Sequence, residues 1–197
     1  MDDMIERIWA VDVEGNGGSP PEIVEVAIVE LKDLELTGRS FSWRVKPIEP
    51  IKPAVTRIHG ITNEDVASAP SIEDIEDGVR TWIDDLPIVG HNVKVEVDAL
   101  TRAFPEWSPV AAYDTLALAR SLHPELESHA LGKLGGHFNL IGRAADISGG
   151  SDHEAGYDAV LCALLLKALL ESIPPTQRFS ALQSCLYRPP VSQGDLF

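Results

Sequence analysis

Three short stretches carry side chains whose types and spacing suit one piece of chemistry. The first is Asp12-Val13-Glu14, at the end of an apolar run. In an extended chain, residues two apart point to the same face, so Asp12 and Glu14 stand side by side. Two carboxylates that close, beside a core, repel each other and lose water, unless a cation lies between them. The bland alternative is a strand that ends in a polar turn.

The second stretch is His91-Asn92-Val93-Lys94-Val95-Glu96-Val97-Asp98. It follows a short apolar run and opens a helical pattern. Glu96 shares a helix face with Ala99, Leu100 and Ala103, the apolar face, so its carboxylate is expected to point inward. Asp98 lies about 200° further round, beside Thr101 and Arg102, on the side that solvent should wet. A buried carboxylate needs a partner, and a metal would serve. A glutamate that merely favours the helix macrodipole is the plainer reading. The third stretch is His153-Glu154-Ala155-Gly156-Tyr157-Asp158. Asp158 precedes Leu161, Cys162, Leu165 and Leu169 at helical spacing, which places it on an apolar face. His153 follows a Gly-rich loop, and an accessible imidazole near a buried carboxylate can act as a general base.

The elements that must position these groups can be read from periodicity. Residues 5–13, 23–31 and 41–45 read as strands, and their spacing suggests an antiparallel meander. A short helix is expected over residues 53–59, with proline at its start. Another is expected over residues 71–84, where Ser71 and Asp74 resemble a capping box. Then come a short strand over 86–90, a helix over 96–104, a strand over 111–113, and helices over 115–122, 130–138 and 154–172. Strands first and alternating helices later make the class α/β, with a mixed sheet. Residues 1–173 form the expected domain, and 174–197 read as a flexible tail with little periodicity.

Together the three stretches, in this order, resemble the DEDDh or DnaQ-like 3′-5′ exonucleases of the RNase H-like fold. Asp12-x-Glu14 matches that family's first motif, and His153-x-Ala155-x-x-Asp158 matches the third, whose histidine defines the h subtype. His59-Gly60-Ile61-Thr62 followed by Ala69-Pro70, and Tyr113-Asp114-Thr115-Leu116 followed by Arg120, look like further family segments. The likeness covers about residues 5–172, and in size and spacing it is most similar to the exonuclease X branch. One departure stands out. The second motif is usually His-Asn-x-x-Phe-Asp, and counting from His91-Asn92 puts Val95 at the Phe and Glu96 at the Asp. Asp98 fits only if the helix begins later.

The resemblance implies a chemistry. Two divalent cations, Mg²⁺ or Mn²⁺, would be held by Asp12, Glu14, Glu96 and Asp158, since hard cations prefer oxygen ligands. His153 would take a proton from the attacking water, and a nucleoside 5′-monophosphate would leave. Gly15 and Asn16 are expected to meet the terminal nucleotide, and His59 and His91 are further candidates for substrate contact. The last residues, Gln193-Gly194-Asp195-Leu196-Phe197, resemble the short bacterial sliding-clamp-binding motif, with Leu196 and Phe197 as anchors in a groove. That pentapeptide leans toward DNA. The alternatives are an exoribonuclease of the RNase T or oligoribonuclease type, and a non-catalytic binding protein that has lost a proper metal site.

Composition bounds the remainder. A net charge of −15 over 197 residues argues against a protein that coats duplex DNA without regard to sequence, because such proteins neutralise many phosphates. It is compatible with an enzyme that grips a few nucleotides. Residues 61–90 hold eight acidic side chains and one basic one, which read as a solvated face. Cys162 and Cys185 make neither a disulfide framework nor a zinc site. No apolar run is long enough for a bilayer, and the N-terminus lacks the regions of a signal peptide, so a cytoplasmic location is expected.

Overall fold

The computed structural model describes residues 6–188. Its centre is a mixed sheet of five strands in the order β3-β2-β1-β4-β5, formed by β1 (Arg7–Gly15), β2 (Ile23–Lys32), β3 (Glu35–Arg44), β4 (Ile88–Gly90) and β5 (Ala112–Asp114). β1, β2 and β3 run as an antiparallel meander, and β4 and β5 then add parallel to β1. All but the last residue of β2 are buried, because both faces of the sheet are covered there.

Two apolar layers do the covering. On one face, α2 (Ile72–Ile83) and α3 (Lys94–Ala103) pack Val79, Ile83, Val97 and Leu100 against Trp9, Val11, Val26 and Ile28. On the other face lies α7 (Ala155–Glu171), which meets Ala10, Ala27, Val29 and Leu31. Thirteen of its 17 residues are buried, so it is apolar nearly all round rather than on one face. The sheet holds one side of it, and α4 (Thr115–Leu122), α5 (Leu131–His137) and α6 (Ile141–Ser148) enclose the rest. A further short helix, α1 (Pro53–His59), begins on proline as expected and ends on Gly60 in the left-handed conformation.

Several boundaries differ from the sequence reading for identifiable reasons. β3 starts at Glu35 rather than Phe41, because its first half is exposed and polar and carries no apolar alternation. Its register comes instead from a tight hairpin, with Asp33 and Leu34 both at positive φ, 51° and 64°. The helix α6 was not expected; only Ala144 is buried along it, so its pattern is faint. α3 begins at Lys94, which puts Glu96 in its first turn. The capping box of α2 is complete: Ser71 Oγ accepts from the Asp74 N–H at 3.3 Å, and Asp74 Oδ2 accepts from the Ser71 N–H at 2.9 Å.

The largest difference concerns the expected tail from residue 174. The structure folds Pro175–Ser184 into α8, buries Leu182 and Cys185, and lays the next residues along β5. The Asp114 N–H donates to Cys185 O at 2.9 Å and the Tyr187 N–H to Ala112 O at 2.7 Å. The packed segment therefore reaches Tyr187. Gln193, Leu196 and Phe197 lie outside the described residues.

Candidate active site

The sheet's geometry brings the first pair of carboxylates to one end of α7. Asp12 faces Ala27 across the ladder, and Glu14 faces Glu25. These positions share the face of Ala10 and Val29, against which α7 packs, so the side chains meet the first turn of that helix. The carboxylate oxygens of Asp12, Glu14 and Asp158 come within 4.8 Å of one another. Asp158 is 8% exposed, while Asp12 and Glu14 are half-buried.

Glu96 approaches from the other side. It is 4% exposed, and its Oε2 is a buried oxygen with no hydrogen-bond partner. Gly90 makes the space: a Cβ there would stand 3.0 Å from that oxygen. Asp98 pairs with Lys94 at the surface and lines the depression beside Glu14 instead of joining the buried carboxyls. The turn of helix thus separates the two candidates for the second motif in the way the apolar face implies.

The electrostatics of the four carboxyls agree in sign. Burial, and then the charges of Glu96, Asp158, Glu14 and Glu25, hold Asp12 well above the usual carboxylate range. Burial, and then Asp158 and Glu25, push Glu14 up to about 7. Burial raises Glu96 to about 8, helped by Asp114 and Glu14, and burial with Asp152 raises Asp158 to about 6. Four acids that cannot all ionise at neutral pH without help, one with an oxygen left bare, form a donor set suited to hard divalent cations.

This cluster opens into a cleft of about 580 Å³ lined by Asp12, Asp158, His91, His153, Tyr157 and residues 130–133. His153 stands at its rim just before α7, exposed, with its backbone at φ 67° and its Nε2 3.5 Å from Asp152 Oδ2. Ligand atoms of Asp152, His153 and Asp158 also lie within 4.8 Å of one another, which adds Asp152 to the residues that the motifs single out. A carboxylate directly before the histidine was the available signal.

The residues expected to touch substrate divide differently. Asn16 is 1% exposed. Its Nδ2 donates to Glu22 Oε1 and Glu49 O, its Oδ1 accepts from the Gly18 and Glu22 N–H groups, and its own backbone N–H and C=O are bonded to Glu22 and Lys52. It locks the turn and has nothing left to offer a nucleotide. His59 is likewise structural: Nδ1 accepts from the Ile61 N–H and Nε2 donates to Gly15 O, so Gly15's carbonyl is also engaged. Burial lowers the His59 pKa and keeps the ring neutral, as that pairing requires. His91 is half-buried in the cleft wall, with Nε2 2.8 Å from His129 O and Nδ1 3.0 Å from Thr115 Oγ1. Burial again lowers its pKa. Beside Glu14, a second depression of about 200 Å³ is lined by Val13, Gly15, Pro21 and Val95, and Val95 is 49% exposed.

Comparison with known proteins fits this geometry. The exonuclease family model of the RNase T type matches residues 10–166. The PolC-type DNA polymerase III of Bacillus subtilis (strain 168) is 31% identical over 173 residues, which is 84% of this chain but 12% of that protein. The DNA polymerase III subunit epsilon of Buchnera aphidicola subsp. Schizaphis graminum (strain Sg) is 28% identical over 134 residues, 60% of this chain and 58% of that one. Among solved structures, exonuclease X in complex with 5′ overhanging duplex DNA superposes with a TM-score of 0.70 at 28% identity, covering 89% of this chain and 98% of that one. The nuclease domain of 3′hExo, a DEDDh family member, shares the fold at a TM-score of 0.70 and 16% identity, over 87% of this chain and 95% of that one. Among the described residues, no helix is long and apolar enough to cross a membrane.

Proposed function

Since this chain belongs to the DEDDh, DnaQ-like exonuclease family, we propose that it removes nucleoside 5′-monophosphates one at a time from the 3′ end of a nucleic acid strand, DNA in preference to RNA. The observation that carries the reading is the group of Asp12, Glu14 and Asp158, with carboxylate oxygens within 4.8 Å of one another, and the buried Glu96 close enough to raise Asp12, its Oε2 bare beside Gly90. Asp12, Glu14, Glu96 and Asp158 would hold two divalent cations, Mg²⁺ or Mn²⁺. When bound, the cations supply charge neutralisation for the attacking and leaving oxygens.

The chain's own residues do the remainder. His153, exposed at the rim with Nε2 3.5 Å from Asp152 Oδ2, takes a proton from the attacking water. A new P–O bond forms, the bond from phosphorus to the 3′ oxygen of the preceding nucleotide breaks, and that oxygen takes a proton from solvent water to leave as a 3′ hydroxyl. The terminal base packs in the depression beside Gly15 on the exposed Val95, which stands where the family pattern has Phe. Asn16 and His59 serve by making the wall of that depression rigid. DNA is favoured because the relatives with the higher identities are DNA polymerase III chains and exonuclease X bound to DNA. The C-terminal Gln193, Leu196 and Phe197 would add a bacterial sliding-clamp contact, bringing an acidic enzyme to DNA.

The test is incubation with 5′-labelled single-stranded DNA and RNA of equal length, with magnesium, with manganese and with a chelator. A metal-dependent ladder that shortens from the 3′ end is expected, faster on DNA. A faster RNA ladder would move the assignment to an exoribonuclease, and no shortening of either strand would leave a binding protein.

A further inference from the structure

The cleft has to receive a polyanion, yet its ionisable lining is acidic or imidazole but for one side chain. Asp12, Asp152, Asp158, His91 and His153 line it, and so does Lys133. Lys133 is exposed on α5 and forms no ion pair among the described residues, whereas Lys32, Lys94 and Lys167 each sit on a carboxylate. Around it the wall is low. Its neighbours Ala130 and Gly132 are small, and Asp152 Oδ1 lies 3.7 Å from where a Cβ on Gly132 would stand, so Lys133 is the cation beside an acidic stretch of the wall.

The shape of the site gives that strand a direction. Past Glu14 the chain turns at once through residues 15–18, where Asn16 holds the turn and a Cβ on Gly17 would strike Val55 at 3.1 Å. That side is a wall, suited to a strand end. Asp12 and Asp158 face the other way, into the cleft whose far side is α5. A strand with its end against the wall and its body in the cleft has Lys133 among the side chains that line its way.

We infer that Lys133 is a positioning residue that binds a phosphate on the 5′ side of the scissile bond, holding the body of the strand while its 3′ end is cleaved. This rests on the exonuclease reading above. An ammonium beside a phosphate oxygen makes a charge-assisted hydrogen bond and releases a counterion, so it contributes affinity and salt dependence without touching the reacting atoms.

Two measurements on the full chain test it, with Lys133→Ala, Lys133→Arg and the control Lys32→Ala, which removes one charge far from the cleft. Fluorescence anisotropy of a labelled single-stranded 12-mer in calcium reads binding without depending on turnover. Lys133→Ala should weaken binding by about tenfold, the size of one charge-assisted hydrogen bond, and flatten the slope of log affinity against log salt by about 0.7. Lys133→Arg should retain most of both, and Lys32→Ala should track the wild type. In magnesium, Lys133→Ala should lower kcat/KM more for the 12-mer than for a dinucleotide, which has only the scissile phosphate, chiefly through KM. Equal binding by Lys133→Ala and Lys32→Ala overturns the inference even if the wild type is a good exonuclease. A wild type that binds through Lys133 but never shortens the strand overturns the exonuclease reading and leaves the phosphate contact standing.

Discussion

Glu96 and Asp98 stand two residues apart in the first half of α3 and face opposite ways: Glu96 is 4% exposed with a bare oxygen against Gly90, and Asp98 pairs with Lys94 in solvent. Only one of them can serve the cluster around Asp12. Glu96→Ala should cut turnover by at least about a hundredfold, more than the loss of a merely supporting group at a metal site. Asp98→Ala should stay within about twofold of the wild type, as expected for an exposed ion pair. Steady-state rates of both variants on one labelled strand decide the matter, and a more damaging Asp98→Ala would transfer the role.

The crowding also has a cost in the absence of metal. Glu14, Glu96 and Asp158 titrate at about 7, 8 and 6 in the folded chain, all above the value of about 4 that such groups have when unfolded. The folded state therefore holds protons that the unfolded state has released. Protonation stabilises the fold fully below about pH 4, and that stability is lost as pH rises through 6, 7 and 8. Thermal unfolding in a chelator should show Tm falling between pH 5.5 and 8.5. Magnesium should raise Tm far more at pH 8.5 than at 5.5, because cations replace the missing protons. A Tm at pH 8.5 that ignores magnesium would contradict a cation site among these carboxyls.

Those side chains were legible because each obeys a local period. Asp12 and Glu14 follow the alternation of β1, Glu96 follows the apolar face of α3, and Asp158 heads the leucines of α7. What escaped notice depends on distant partners. Asn16 looks like an exposed residue of a glycine-rich turn, but the acceptor that fixes it is Glu49 O, 33 residues away. His59 looks free until Gly15 O is placed beside it, 44 residues back in the chain. Asp152 and Lys133 belong to the site only because α5 and the loop before α7 fold against each other. Residues 175–184 carry almost no apolar periodicity, so nothing local announces that Leu182 is a core residue.

That last point makes a stability prediction. Cutting the chain after residue 173 removes α8, opens the pocket filled by Leu182 and Cys185, and bares the β5 edge that residues 185–187 cover. Leu182→Ala alone should cost about 2 kcal/mol or more, as buried leucines do. The truncated chain should unfold at markedly lower denaturant and associate through its open edge. Chemical denaturation followed by tryptophan fluorescence, with size-exclusion chromatography of the folded material, checks both. A truncated chain as stable and as monodisperse as the whole would return the domain boundary to residue 173.

Ending the chain after residue 188 should act quite differently. Among the described residues, the backbone hydrogen bonds that tie the C-terminal segment to β5 come from residues 185–187, all of which this shorter chain retains, and its unfolding midpoint is expected to match that of the whole chain. It should also shorten a free oligonucleotide at the wild-type rate, since the carboxyls, His153 and Lys133 are all retained. What it loses is Gln193, Leu196 and Phe197. If that pentapeptide docks in a groove of a bacterial sliding clamp, surface plasmon resonance on immobilised clamp should detect the whole chain and not the shortened one. Leu196→Ala with Phe197→Ala should reproduce the loss, because two apolar anchors dominate a short peptide's affinity. On DNA loaded with clamp, the whole chain should then outpace the shortened one through raised local concentration, and the gap should vanish when clamp is left out. Equal clamp signals from both chains would sink the tail's role while leaving the exonuclease reading untouched.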